Sequence, residues 1–239
     1  HYAQCVRGRE QTERLQQKFP NAFWLCDSEY NSGEITNIPP QQKAVLAPFS
    51  KVETWGRVRP DEKTLEQMVY SGNMNFLFVG RVVPNKGHLK LVEVLYWYRR
   101  FYDGNTDLYI IGKFDDSLAP YNQQLIGRIR HLGLSKNVHF VGEINDASLK
   151  AYYLASDLYL NLSEHEGFCV PLNEAQYFNL PILARRSTAV PETLGDGQVV
   201  LGEDAQEYAA AAHVILEDKM LKEQLCRHGR ENFETRFSS

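Results

Sequence analysis

The sequence predicts an α/β protein built on a doubly wound, Rossmann-like parallel sheet with helices on both faces. Three observations predict it. Short, wholly apolar runs recur from about residue 75, helical segments fall between them, and glycine or polar loops follow the runs. Such runs suit strands buried on both faces, and their alternation with helices implies right-handed crossovers within one parallel sheet.

Residues 1–60 stand outside this alternation. They read as a helix from about Gln4 to Lys18, a strand at Phe23–Cys26, a short helix and a strand at Ala44–Leu46. Pro39-Pro40 interrupts them, and Trp55 to Pro60 reads as a connector. Two strands are too few for an independent sheet, so this segment is expected to be the tail of another domain. The opening His1-Tyr2-Ala3 carries no signal-peptide pattern and reads as a trimmed terminus.

The repeat proper supplies strands at Phe76–Gly80, Leu108–Gly112, Val138–Gly142, Leu158–Leu162 and Pro181–Ala184, with a short sixth at Val199–Leu201. The first helix runs from about Lys86 to Tyr102, with Leu91, Leu95, Tyr98 and Tyr102 on one side. Others follow at Ala119–Leu132, from Asp146, and near 204–217 and 219–235. The loops at Gly80-Arg81, Gly112-Lys113, Gly142-Glu143 and Ser163–Gly167 should converge on one crevice, because ligands bind outside the carboxyl ends of such strands. The expected division is residues 1–60, a domain tail and linker, and 61–239, a ligand-binding domain.

Composition narrows the function. Of 239 residues, 43% are hydrophobic and 23% charged, which is ordinary for a globular chain. A net charge of -4 disfavours a general nucleic-acid binder. No apolar run approaches the roughly 18 residues of a spanning helix. Cys5, Cys26, Cys169 and Cys226 form no C-x-x-C pair, so they read as reduced, buried thiols of a cytosolic protein rather than a zinc or redox site.

Two segments carry chemistry. Gly80-Arg81-Val82-Val83-Pro84-Asn85-Lys86-Gly87-His88 joins the first strand of the repeat to its helix. Glycines permit close backbone approach, and a helix N-terminus favours an anion. The dipole alone prefers acids there, so Arg81 and Lys86 point to an anionic ligand; solvated loop charges are the plainer alternative. The second segment is Glu166-Gly167-Phe168-Cys169-Val170-Pro171-Leu172-Asn173-Glu174. Its two carboxylates stand eight positions apart, one on the loop and one on the helix, so both can face one crevice and accept hydrogen bonds from sugar hydroxyls. The alternatives are a dipole-favoured acid for Glu166 and a solvent-facing helical acid for Glu174.

In this order, Val79-Gly80-Arg81 through Lys86-Gly87, the E-x7-E pair Glu166 and Glu174, Asn179-Leu180-Pro181-Ile182 and Val190-Pro191-Glu192 resemble glycosyltransferase family 4, the large retaining family with the GT-B fold. The resemblance covers residues 75–239, and Leu216 to Ser238 looks like the family's closing helix pair. Cys26-Asp27-Ser28-Glu29-Tyr30-Asn31 looks like the turn before the family's interdomain linker, making residues 1–60 the end of an acceptor domain whose bulk is absent.

The resemblance implies one half of a GT-B fold and transfer of a hexose, such as mannose or glucose, from a GDP- or UDP-linked donor. It implies that Arg81 and Lys86 hold the diphosphate, with Glu166 at the donor sugar and Glu174 at the ribose. Gly80 and the backbone amides of Gly167, Phe168 and Cys169 would approach donor oxygens, and Val141, Gly142 and Ile144 would line the base pocket. Asp146 is open to two readings: recognition of a guanine edge, or a helix N-cap beside Asn145. His165 is a loop histidine within reach of the donor. No cofactor, metal or enzyme nucleophile is implied, and Asp115-Asp116 reads as a loop acid pair. The implied partners are the nucleotide sugar, a glycan or lipid-linked acceptor and the missing domain. The setting is bacterial surface-polysaccharide synthesis in the cytoplasm, with peripheral membrane contact through absent parts. A nicotinamide-dependent oxidoreductase ranks low, since its G-x-G-x-x-G turn is replaced by G-R-V-V-P-N-K-G. A binding module without turnover and a GT-B sugar epimerase are the remaining alternatives.

Overall fold

A computed structural model of the chain describes residues 2–48 and 51–238. In chain order the elements are α1 (Tyr2–Lys18), β1 (Trp24–Cys26), α2 (Glu29–Glu34), β2 (Lys43–Val45), α3 (Val52–Trp55), α4 (Glu62–Tyr70), β3 (Met74–Val79) and α5 (His88–Phe101). Then come β4 (Thr106–Ile111), α6 (Ala119–His131), β5 (Val138–Gly142), α7 (Asp146–Ala155), β6 (Leu158–Asn161) and α8 (Val170–Tyr177). β7 (Ile182–Arg185), α9 (Val190–Leu194), β8 (Val199–Leu201), α10 (Ala205–Glu217) and α11 (Lys219–Arg236) complete the chain.

Six strands form one wholly parallel sheet in the order β5-β4-β3-β6-β7-β8. Counted from β3, that order is 3-2-1-4-5-6, the order of dinucleotide-binding folds, and it reverses between β3 and β6. The apolar strand runs are explained by burial on both faces. Phe76 and Phe78 of β3 enter a core with Leu91, Leu95 and Tyr98 of α5 and Tyr208 and Ala212 of α10. Leu77 enters a second core with Leu172 of α8, Val190 of α9 and Phe233 of α11. Helices therefore cover both faces, as expected. Trp55, at the start of the segment read as a connector, is buried in the second core together with Val52.

Local chemistry sets the helix starts. Asp61, Asn145, Asp204 and Asp218 cap α4, α7, α10 and α11 by accepting backbone N–H bonds. At α7 the cap is Asn145, bonded to Ser148 N at 2.9 Å, so Asp146 is the first helical residue and not the cap. α5 begins two residues later than the periodicity suggests. Pro84–Lys86 forms a 3-10 turn, and Gly87 takes a left-handed conformation (φ 72°) before the helix. A Cβ on Gly87 would also run into the Leu162 carbonyl. Gly87→Ala is therefore expected to lose at least about 2 kcal/mol, combining left-handed strain with a backbone collision. Urea unfolding checks this; a midpoint equal to that of the parent chain would show that the loop has room to shift.

The N-terminal region adds a two-stranded parallel sheet, β1 with β2. Its Leu25 side lies open, with 66% of that residue exposed. This region meets the large sheet's loops through α2: the Glu192 carboxylate of α9 accepts bonds from Glu29 N (2.8 Å) and Tyr30 N (3.0 Å). Cys26, Cys169 and Cys226 are free thiols, while the side chain of Cys5 lies outside the described residues.

Candidate nucleotide-sugar site

The two sequence motifs occupy the loops after β3 and β6, the pair of strands between which the sheet order reverses. They are joined across that point. Lys86 Nζ donates to both oxygens of Glu166, at 2.6 and 2.8 Å, and Glu164 N donates to Asn85 O at 2.8 Å. The Glu166 side chain is 8% exposed, so the ion pair sits largely away from water. Glu166 precedes α8 by four positions and does not belong to its first turn, which removes the reading of a dipole-favoured acid. Its backbone is pinned from the next crossover: Glu166 N donates to Thr188 Oγ1 at 2.8 Å, and the Thr188 hydroxyl donates to Glu166 O at 2.7 Å. Thr188 was not singled out from the sequence.

Both helices that start at this point lack the devices found elsewhere in the chain. α5 and α8 have neither a side-chain cap nor an acid in the first turn. α6, which follows β4 at the same edge of the sheet, shares this pattern. Uncapped N–H groups beside a lysine form an environment suited to an anion. Cys169 stands at the start of α8 in a left-handed conformation (φ 74°), and burial pushes its thiol well above the usual range. Asn161 Nδ2 donates to its sulfur at 3.3 Å.

Arg81 is exposed and lies elsewhere in the same mouth. With Asn85, His165, Asp115 and Ser117 it lines a cleft of about 1390 Å³, whose opposite wall is formed by α1 and residues 24–37. Asp115 caps the following turn by accepting from Ser117 Oγ at 2.5 Å and Ser117 N at 3.0 Å; these two bonds, and then the nearby Arg81, hold its carboxyl below the ordinary value. Asp27 reaches across from the opposite wall. Its side chain bonds Asn31, and a Cβ on Gly167 would come within 2.7 Å of its Oδ2. Thus Gly167 is the place where the N-terminal region lies directly on the Glu166 loop.

Glu174 projects from α8 into a different environment. Tyr153 of α7 donates to its Oε2 at 2.8 Å, and burial pushes the carboxyl up to about 7, with the Asp146 charge adding to the shift. A solvent-facing helical acid would show neither feature. Val141 and Ile144, in the segment expected to line a base pocket, and Cys169 and Val170 at the start of α8 each pack against the second core. Phe168 is buried in that core against Phe237, and its carbonyl accepts a hydrogen bond from the Thr193 hydroxyl. Gly80 and Gly142 stand where the first and third strands end, and Gly142 O accepts from Gly112 N at 2.9 Å. Among the described residues, no group of three or more His, Cys, Asp or Glu side chains is placed to hold a metal ion, and no helix is long and apolar enough to cross a membrane.

Comparison with known proteins gives the family and the fold. The family model for glycosyl transferases group 1 matches residues 66–232. The phosphatidyl-myo-inositol mannosyltransferase of Mycobacterium leprae is 30% identical over 161 residues, 65% of this chain and 40% of that protein. The capsular polysaccharide biosynthesis glycosyltransferase CapH of Staphylococcus aureus is 26% identical over 110 residues, 46% of this chain and 30% of its own. The chain thus spans less than half the length of these curated relatives. Among solved structures, Anabaena Alr3699/HepE in complex with UDP and glucose superposes with a TM-score of 0.82 at 16% identity, covering 96% of this chain and 63% of that one. The last likeness concerns the fold; the family rests on the sequence match. The chain belongs to the glycosyl transferases group 1 family.

Proposed function

We propose that the chain is the donor-binding part of a retaining, family 4 glycosyltransferase that moves a hexose from a nucleoside-diphosphate sugar to a glycan or lipid-linked acceptor. The observation that carries this reading is the Lys86–Glu166 pair bridging the two loops at the sheet's reversal point, beside two uncapped helix starts. On donor arrival Lys86 turns from Glu166 toward the diphosphate, joined by Arg81 from the cleft wall. The two cations stabilise charge growing on the leaving phosphate as the glycosidic bond breaks. Glu166, released from full pairing, holds a hydroxyl of the donor sugar, and Glu174 accepts from the ribose. Retention follows from attack on the same face as the departing diphosphate, with the phosphate taking the acceptor proton. The reaction needs no metal.

Residues 1–60 are the end of an acceptor domain and its linker, and the cleft that residues 8–37 share with Arg81 and His165 receives the acceptor. The pathway is bacterial surface-glycan synthesis at the cytoplasmic face of the membrane, a reading supported by relatives named for capsular polysaccharide biosynthesis and phosphatidyl-myo-inositol mannosyl transfer.

The direct test is a melting-temperature panel with GDP, UDP, ADP, GDP-mannose, UDP-glucose and NAD. A ligand held only by the folded chain adds about 2.7 kcal/mol at 100 times its Kd. One nucleoside diphosphate and its sugar should raise the melting temperature, NAD should not, and Arg81→Ala should remove most of the rise. A shift with NAD alone would overturn the reading.

A further inference from the structure

The carboxylate of Glu174 is held by a side chain outside both motifs. Tyr153, 21 positions earlier, donates to Oε2 at 2.8 Å. Its hydroxyl also lies 3.4 Å from Pro171 O, but a phenol has one proton, and the shorter, charge-assisted contact takes it. The Glu174 oxygen Oε1 accepts no hydrogen bond among the described residues.

The ring that carries this hydroxyl cannot swing. Tyr153 is 1% exposed. It stacks on Phe178 at 5.3 Å and on Tyr159 at 6.2 Å, and Trp55 closes the remaining side at 6.1 Å. Burial pushes the phenol well above its ordinary value, so it stays a proton donor throughout the working range. The groups facing Glu174 are Tyr153 and Asp146 from α7 and Tyr159 from β6; the first donates to it, Asp146 disfavours its ionised form, and Tyr159 is a neutral phenol whose own ionisation the Glu174 charge opposes.

We infer that Tyr153 is a positioning residue for nucleotide recognition: its hydroxyl fixes Oε2 of Glu174 and so presents Oε1 to a ribose hydroxyl. This rests on the reading of Glu174 as the ribose acceptor. A fixed carboxylate gives up no rotational freedom when the ribose arrives, and the donated bond favours the ionised form, which is the better acceptor. Removing the hydroxyl frees the carboxylate to rotate and to take up a proton.

The test compares the ribonucleoside diphosphate that stabilises the chain, among GDP, UDP and ADP, with its 2′,3′-dideoxy counterpart. Calorimetry on the parent chain, Tyr153→Phe, Glu174→Gln and the double variant gives four pairs of Kd values. Tyr153→Phe should weaken the ribonucleotide about 10-fold and leave the dideoxy form unchanged. In the Glu174→Gln background it should add nothing. Should Tyr153→Phe fail to fold, 3,5-difluorotyrosine at position 153 keeps the ring and strengthens the donated bond. The pH midpoint of ribonucleotide binding should then move down. Equal weakening of both nucleotides, no weakening of either by Tyr153→Phe, or an unmoved midpoint overturns the positioning role. If Glu174→Gln itself leaves the ribonucleotide unaffected, the ribose reading of Glu174 fails, and this inference falls with it.

Discussion

Lys86→Ala is expected to lower the unfolding free energy of this chain by about 3 kcal/mol, an effect out of proportion to a loop lysine. The reason is Glu166. Its carboxylate is 8% exposed and takes two bonds from the Lys86 ammonium, so deleting the lysine leaves a charge that water reaches poorly. The value is set near the low end of what breaking a buried pair costs because Lys86 itself retains 22% exposure. Adding Glu166→Gln removes the stranded charge, and most of the lost stability should return. Nucleotide affinity should not return with it, because both variants lack the ammonium that the proposed function assigns to the diphosphate. Denaturant titration and calorimetry on the single and double variants separate the two effects. A Lys86→Ala chain as stable as its parent would mean that Glu166 finds water or another donor, and that the pair is not the element that joins the two loops.

That prediction was within reach of the sequence only in part. The strands of the large sheet were legible because each is a short apolar run with few alternatives, and β3, β4 and β6 are buried on both faces. Their lateral order was not legible. Strand succession does not say that β6 lies beside β3, and the reversal point follows from that adjacency. The Lys86–Glu166 bond joins residues 80 positions apart, so spacing gave both residues and not their contact. The role of Glu174 was harder still. Its alternative, an exposed helical acid, fails through burial and through Tyr153, and no local pattern announces either. Thr188 escaped for the same reason, since it acts through its hydroxyl on the Glu166 backbone from the next crossover. Asp146 shows the limit of cap rules: two adjacent cap-forming residues were available, and Asn145 took the place.

Glu174→Gln should act in opposite directions on stability and on binding, with pH deciding the size of each. In the folded chain burial raises this carboxyl from 4.5 to about 7. The folded state therefore binds the proton more tightly than the unfolded chain. Below 4.5 both states are protonated and nothing is lost. Between 4.5 and 7 stability falls as pH rises, and above 7 the full cost of about 3 kcal/mol is present. Glutamine escapes that cost while its amide oxygen still accepts from Tyr153. The variant should match the parent near pH 4.5 and exceed it by up to about 3 kcal/mol at pH 8. Binding runs the other way. On the proposed reading the ionised carboxylate is the ribose acceptor, so the parent's nucleotide affinity, divided by that of Glu174→Gln to cancel titration of the phosphate, should rise about 10-fold from pH 6 to pH 8. The two curves share one midpoint because one group causes both. A stability gain with no pH-dependent change in relative affinity would make Glu174 a buried acid with no ligand. A change in affinity with no stability gain would place the titrating group elsewhere in the site.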